Sequence, residues 1–270
     1  MLLFPNAKIN IGLFVTEKRP DGFHNLETIF YSVPFCDVLE IFPNTASFEM
    51  HLYGISIEGN SSDNLCAKAW RLLHAHFDIP PVHLHLLKNI PAGAGLGGGS
   101  ADGAFALKGL VDLYKLAVSD AEMLAMAAAL GSDCPFFLHN RPVLAKGRGE
   151  VMTSLPLSLS GYYLVLLHLP IHVSTRDAFM AIAPKKAPTA WQPTLPPQSF
   201  ADWSNVRNDF EIPIFDLHPS IAQLKNDLLS AGALFAAMTG TGSAVYGIFT
   251  SPPTLDHRLQ KSVCWAGELE

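Results

Sequence analysis

Hydrophobic and polar residues alternate along Val82-His83-Leu84-His85-Leu86-Leu87, a period of two that predicts a strand. Further on, Ala104-Phe105-Ala106-Leu107-Lys108-Gly109-Leu110-Val111-Asp112-Leu113-Tyr114 places apolar residues at helical spacing. Between the two runs Pro91-Ala92-Gly93-Ala94-Gly95-Leu96-Gly97-Gly98-Gly99-Ser100-Ala101-Asp102. The order is therefore strand, glycine loop, helix start. Glycines let backbone N–H groups approach an anion, and a helix start adds unpaired N–H groups and the positive end of its dipole. That combination suits a polyphosphate.

The same pattern reading supplies the rest of the chain. Strands are predicted over Ala7–Val15, Ile29–Phe35, Asp37–Phe42, Tyr162–Leu167 and Val245–Phe249, with Val151–Leu157 closing the first half. A helix opens at Ser62-Asp63-Asn64-Leu65 and runs to about His76, with Asp63 or Asn64 as its cap. A second begins at Ser119, where Glu122 completes a capping box, and stops at Gly131. An apolar strand is expected to follow Asp133 through Cys134-Pro135-Phe136-Phe137. His172-Val173-Ser174-Thr175-Arg176-Asp177-Ala178-Phe179 is expected to lead into a helix, and another helix is expected around Ile221–Leu229. Pro184 to Phe200 reads as an irregular proline-rich loop, and Met238-Thr239-Gly240-Thr241-Gly242-Ser243-Ala244 as a second glycine-rich turn.

Composition narrows the class. The chain has 270 residues, 49% of them hydrophobic, enough to build a sizeable core in one large or two modest domains. A net charge of −6 argues against a nucleic-acid backbone as the main partner. Four scattered cysteines with no C-x-x-C pair suggest a reducing compartment and no structural zinc. The first residues, Met1-Leu2-Leu3-Phe4-Pro5-Asn6, lack the charge and length of a signal peptide. The expectation is a soluble cytoplasmic protein, a monomer or weak homodimer, with neither membrane nor nucleic acid as partner. His74/His76 and His83/His85 have no third ligand at useful spacing and read as solvent-facing.

Candidate chemistry lies in a few places. Lys8 and Asn10 share one face of the first strand, and a lysine on so apolar a strand meets either an anion or solvent, as an edge guard does. Asp21-Gly22 signals a turn that places Phe23 and His24 beyond its tip, as a packed hairpin or as a holder for a flat ring. Asp133 is a carboxylate among apolar elements: a buried cap, a base, or a partner for Lys8.

The glycine loop separates three known designs. A Walker loop ends in Gly-Lys-Ser/Thr, but Gly99 is followed by Ser100 and the loop has no lysine. Gly93, Gly95 and Gly98 fit G-x-G-x-x-G, yet a second helix follows where a Rossmann unit needs a strand. The third design, P-x-x-x-G-L-G-x-S-S/A, belongs to the GHMP small-molecule kinases, and Pro91, Gly95-Leu96-Gly97 and Gly98-Gly99-Ser100-Ala101 resemble it closely. Ala7-Lys8-Ile9-Asn10, this loop, Gly131-Ser132-Asp133-Cys134-Pro135 and Thr239-Gly240-Thr241-Gly242-Ser243 follow in that family's order. Arg19-Pro20-Asp21-Gly22-Phe23-His24-Asn25-Leu26, Asp63-Asn64-Leu65, Gly147-Arg148-Gly149-Glu150 and Asn208-Asp209-Phe210-Glu211 resemble a narrower branch, whose acceptor is a methylerythritol carrying cytidine diphosphate.

The resemblance implies a two-domain α+β fold: an ATP-binding domain of ribosomal-protein-S5-like type over 1–156 and a ferredoxin-like substrate domain over 157–270. It implies phosphoryl transfer from ATP, with Mg2+, to the 2-hydroxyl of the cytidine diphosphate alcohol, in the non-mevalonate route to isoprenoid precursors. By position it makes Lys8 and Asp133 the catalytic pair. Asn64, Lys88, Pro91, Gly93, Gly95, Leu96, Gly97, Gly98, Gly99, Ser100 and Ala101 would meet ATP. Asn10, Phe23, His24, Thr175 and Phe179 would line the substrate site, with Phe179 opposite Phe23 across the base. No side chain is assigned to magnesium. Two departures stand out: Phe23 replaces the family's usual tyrosine, and Ala101 a common second serine. The alternatives are a homoserine- or phosphomevalonate-type kinase, against which the Asp21–His24 turn argues, and a silent ATP-binding sensor, against which the presence of both Lys8 and Asp133 argues.

Overall fold

The computed structural model describes residues 1–44, 46–57, 61–188, 191–192 and 200–269. In chain order the elements are β1 (Leu2–Leu3), β2 (Asn6–Lys18), β3 (His24–Cys36), β4 (Val38–Pro43), β5 (Glu49–Gly54), α1 (Leu65–Phe77), β6 (Val82–Lys88), α2 (Gly98–Tyr114), α3 (Asp120–Leu130) and α4 (Cys134–His139). Then come β7 (Val143–Lys146), β8 (Val151–Ser154), β9 (Tyr163–Leu167), α5 (Thr175–Ala181), α6 (Glu211–Leu217), α7 (Pro219–Ser230), β10 (Phe235–Met238), β11 (Val245–Phe249), α8 (His257–Gln260) and β12 (Val263–Glu268). The fold is α+β. Of the proline-rich loop expected over 184–200, residues 189–190 and 193–199 lie outside the described residues.

The chain forms two compact units. Met1–Ala7, Pro34–Ala92 and Gly97–Asn140 build the first; Lys8–Val33, Gly93–Leu96 and Arg141–Glu270 build the second. This division differs from the halves 1–156 and 157–270. The reason is visible in β2: Leu13 and Val15 share a buried cluster with Val165, Leu167, Phe210 and Met238. Leu13 also bridges to Asn208, and Val15 C=O accepts from the Lys185 N–H at 2.9 Å. The early strand thus belongs with the later ones.

In the first unit a four-stranded sheet, ordered β1-β4-β6-β5, carries the helices. The alternation read in β6 holds: Val82, Leu84, Leu86 and Lys88 are buried, while His83, His85 and Leu87 look outward. The helix read from Ala104 begins earlier, at Gly98, directly out of the glycine loop. α3 has the expected Ser119–Glu122 capping box. The strand expected at Cys134–Phe137 is instead the helix α4, with Pro135 in its first turn, where a missing N–H costs nothing and the fixed φ favours helix.

In the second unit the sheets are ordered β2-β3-β7-β8 and β10-β11-β9-β12. Antiparallel pairing sets Val245 opposite Leu167 and Phe249 opposite Tyr163. α7 packs Ile221, Leu224 and Leu228 into the cluster with Val165 and Val245.

Candidate active site

β6 of the first unit leads into the glycine loop, whose Gly93–Leu96 stretch counts with the second unit, and the loop ends at Gly97, the N-cap of α2. Gly93, Gly95 and Gly97 take φ values of 68°, 80° and 73°. Every second residue is therefore left-handed, a conformation that turns backbone N–H groups toward one side and suits an anion. Ser100 and Ala101 lie in the first turn of α2, where N–H groups are unpaired by geometry. Pro91 is half-buried at the loop's start.

Lys88 faces inward. Its Nζ bonds Asp102 Oδ2 at 2.6 Å and also Asp37 Oδ2, with all three side chains buried. Asp37 Oδ1 accepts from the N–H groups of Asn89 and Ile90, at 2.6 and 2.8 Å. Burial opposes the Lys88 charge, but Asp102 and then Asp37 outweigh it and its pKa is raised. Burial pushes the Asp102 carboxyl up to about 7, against the pull of Lys88. Asn64 caps α1, its Oδ1 accepting from Cys66 N–H at 2.9 Å. Asp133 stands at the N-cap position of α4 with φ −87° and ψ −14°, half-buried, and its side chain makes no capping bond to that helix. The cap role is thereby removed from its possible roles. Burial pushes the neighbouring Cys134 thiol up to about 12, leaving it an inert core residue.

In the second unit Lys8 is 4% exposed. Its Nζ donates to Asn10 Oδ1 at 2.6 Å and lies over the Phe30 ring, 5.1 Å from the centroid. The solvent-facing edge role is thus excluded. Asn10 is a hub: Oδ1 also accepts from Gly240 N–H at 2.9 Å, and Nδ2 donates to Thr28 Oγ1 at 2.9 Å. Thr239 Oγ1 accepts from the Asn10 N–H at 3.0 Å and lies 3.1 Å from Gly95 O. Ala94 C=O accepts from Ala244 N–H, and Leu96 C=O from Lys8 N–H. The Gly93–Leu96 stretch is therefore held by β2 and by the second glycine-rich turn. A Cβ on Gly95 would sit 2.1 Å from the Thr239 carbonyl oxygen, so that close backbone contact requires glycine. Asn208 fixes the turn in its own place, Nδ2 donating to Met238 O and Gly240 O, both at 2.8 Å.

The second unit also holds the aromatic residues. Phe23 is 52% exposed, with the Arg148 guanidinium 4.7 Å from its ring centroid. The His24 ring stacks on Phe179, centroids 5.0 Å apart and planes 23° apart, and Phe179 meets Phe210 edge-on. Burial, then Lys18, lowers the His24 pKa and so favours the neutral imidazole. Thr175 opens α5, its Oγ1 3.4 Å from Thr241 Oγ1.

Lys8, Asn10, Phe23, His24, Gly93, Gly95, Leu96, Thr175 and Phe179 thus belong to the second unit. Asn64, Lys88, Pro91, Gly97, Gly98, Gly99, Ser100, Ala101 and Asp133 belong to the first. Sequence reasoning gave no role to Asp37, Asp102, Thr239, Asn208 or Arg148. Asn208, Thr239 and Arg148 stand in the quoted blocks, but Asn10 and Phe23, which Thr239 and Arg148 meet, lie far away along the chain.

Comparison with known proteins follows the same line. Residues 64–141 match the GHMP kinases N terminal domain and residues 197–261 the GHMP kinases C terminal. A Bacteroides thetaiotaomicron 4-diphosphocytidyl-2-C-methyl-D-erythritol kinase is 45% identical over 259 residues, 94% of each chain. The Porphyromonas gingivalis protein of that name is 44% identical, covering 95% of this chain and 94% of its own. A crystal structure of 4-(cytidine 5'-diphospho)-2C-methyl-D-erythritol kinase superposes with a TM-score of 0.80 at 32% identity, over 100% of this chain and 99% of that one. The Methanococcus jannaschii mevalonate kinase shares the fold, with a TM-score of 0.68 at 12% identity over 97% and 92%.

Proposed function

The chain belongs to the GHMP kinases, and on that premise we propose that it transfers the γ-phosphoryl group of ATP to the 2-hydroxyl of 4-diphosphocytidyl-2-C-methyl-D-erythritol. What carries the choice of acceptor is the end-to-end likeness to proteins of that one name. The step belongs to isoprenoid precursor synthesis and takes place in the cytoplasm. Among the described residues no helix is long and apolar enough to cross a membrane.

The residues divide the work by chemistry. Phosphoryl transfer asks mainly for positioning and charge stabilisation. The N–H groups of Gly93–Gly99 and the start of α2 cradle the nucleotide's phosphates, with Ser100 adding a hydroxyl. Asp133 takes or orients the acceptor's hydroxyl proton, since a loose transition state asks little base strength. Lys8, locked by Asn10, supplies a fixed positive charge for the developing negative charge. Phe23 stacks on the cytosine and His24, neutral, hydrogen-bonds its edge. Among the described residues no group of three or more His, Cys, Asp or Glu is arranged to hold a metal ion.

The deciding assay compares the cytidine diphosphate alcohol with bare methylerythritol phosphate, each with ATP. Strong preference for the first is expected; equal efficiency would move the chain to another acceptor. Phe23→Ala should raise the Michaelis constant for the cytidine alcohol roughly 5- to 150-fold, from about 1–3 kcal/mol of base stacking, with that for ATP unchanged. Phe23→Tyr should be tolerated. Gly97→Val places a Cβ where φ is 73°. A valine loop relaxes out of the left-handed region when empty, so ATP must restore that conformation at about 1–2 kcal/mol, and binding should weaken by roughly 5- to 30-fold, read by calorimetry, with acceptor affinity kept.

A further inference from the structure

Phe23 is the most exposed of the aromatic residues assigned above, and an exposed ring on a turn is ordinarily free to change rotamer. Here its backbone is fixed on both sides. The Phe23 N–H donates to Asp21 Oδ1 at 3.1 Å, and its C=O accepts from the Arg19 N–H at 2.8 Å. Arg19 in turn pairs with Asp21 at 2.8 Å. The ring itself is met by Arg148, from a different part of the chain. Arg148 sits in the turn between β7 and β8. That turn is tied to β3 by Leu26 N–H donating to Gly147 O at 2.7 Å, and Arg148 N–H donates to Glu150 Oε2 at 2.6 Å. The charge of Arg148 also reaches Asp21, whose carboxyl is held below its ordinary range, by Arg19 first and Arg148 last.

We propose that Arg148 is a specificity-determining positioning residue: its guanidinium backs one face of the Phe23 ring and so presents the opposite face, already oriented, to the cytosine of the acceptor. The inference rests on the functional reading above, in which Phe23 stacks on the base. A guanidinium over a ring face is attracted by the ring quadrupole, and a planar group fits there as a flat support. Fixing the ring before the base arrives removes rotamer freedom that binding would otherwise have to quench. Arg148 touches no reacting atom in this account; it acts through Phe23.

The test is a double-mutant cycle with steady-state kinetics and calorimetry on the full chain. Arg148→Ala should raise the Michaelis and dissociation constants for the cytidine diphosphate alcohol roughly 2- to 30-fold, the range of cation–π pairs from exposed to desolvated. Turnover and the constant for ATP should stay within about twofold, the scatter of an uninvolved site, and Arg148→Lys should recover much of the loss. In a Phe23→Ala background the Arg148→Ala change should add nothing further. If Arg148→Ala has no effect while Phe23→Ala weakens the acceptor, the positioning role is wrong and the functional reading stands. If Arg148→Ala weakens the acceptor as much without Phe23 as with it, the guanidinium meets the ligand directly and the proposal is overturned. If neither residue matters to the cytidine alcohol, both the proposal and the base-stacking reading fall.

Discussion

Replacing Asp133 by asparagine is expected to lower turnover by roughly 100-fold or more while nucleotide affinity stays near normal. Its side chain makes no capping hydrogen bond to α4, so the substitution removes no helix cap. Asparagine keeps the shape and a carbonyl oxygen but cannot accept a proton at neutral pH. Lys8→Met should do comparable damage for a different reason. It removes the one charge that Asn10 Oδ1 holds in place and leaves an apolar stem of similar length. Because Asn10 also binds Gly240 and Thr28, the network around it should survive the loss of Lys8. Circular dichroism and calorimetric titration with an ATP analogue separate the outcomes. Near-wild-type turnover in either variant, with fold and ATP affinity intact, would remove that residue from the catalytic machinery. Loss of ATP affinity in parallel with turnover would instead make it a nucleotide ligand.

Local signals carried most of the fold into the sequence. β6 alternates, α3 has its box, and the glycine loop is readable because its composition has few other uses. What escaped is what depends on partners. β10 is Phe-Ala-Ala-Met, as compatible with a helix as with a strand, and becomes a strand because it pairs with β11. β5, with its half-exposed histidine, is an edge strand lacking clean alternation. α4 reads as a strand because its four apolar residues are too few to show a helical period. The site divides the same way. Lys8, Asn10 and the loop stand out as types in a pattern, but the Thr239 hydroxyl that bonds Asn10 lies 229 residues away. Arg148 is one more surface arginine until the fold sets it over Phe23.

Lys88, which the resemblance places against ATP, is held in the structure by buried carboxylates, and its loss is expected to have the largest effect on stability. By alternation it lies on the buried face of β6, and its ammonium is the counter-charge for two buried carboxylates, Asp37 and Asp102. Lys88→Met fills the space but leaves both carboxylates in an apolar interior, which should destabilise the protein by about 3–5 kcal/mol. The pH dependence has a definite sign. The Asp102 carboxyl, ordinarily near 3.8, is raised to about 7 in the folded chain, by burial first. The folded state therefore holds a proton that the unfolded chain has released, so this group's contribution is full below about pH 4 and lost as pH rises through 7. Removing Lys88, whose attraction lowers that pKa, extends the loss to higher pH. Urea titrations should thus show a larger deficit for Lys88→Met at pH 8 than at pH 6, and a flatter profile for Asp102→Asn. Asp102 stands in α2 just after the loop, and Asp37 binds the N–H groups of Asn89 and Ile90 just before it. Loosening this set should also weaken ATP binding, whereas Asp102→Asn, which keeps an oxygen for Lys88, should largely spare it. Equal destabilisation of Lys88→Met at both pH values would mean that the buried charges do not govern this part of the fold.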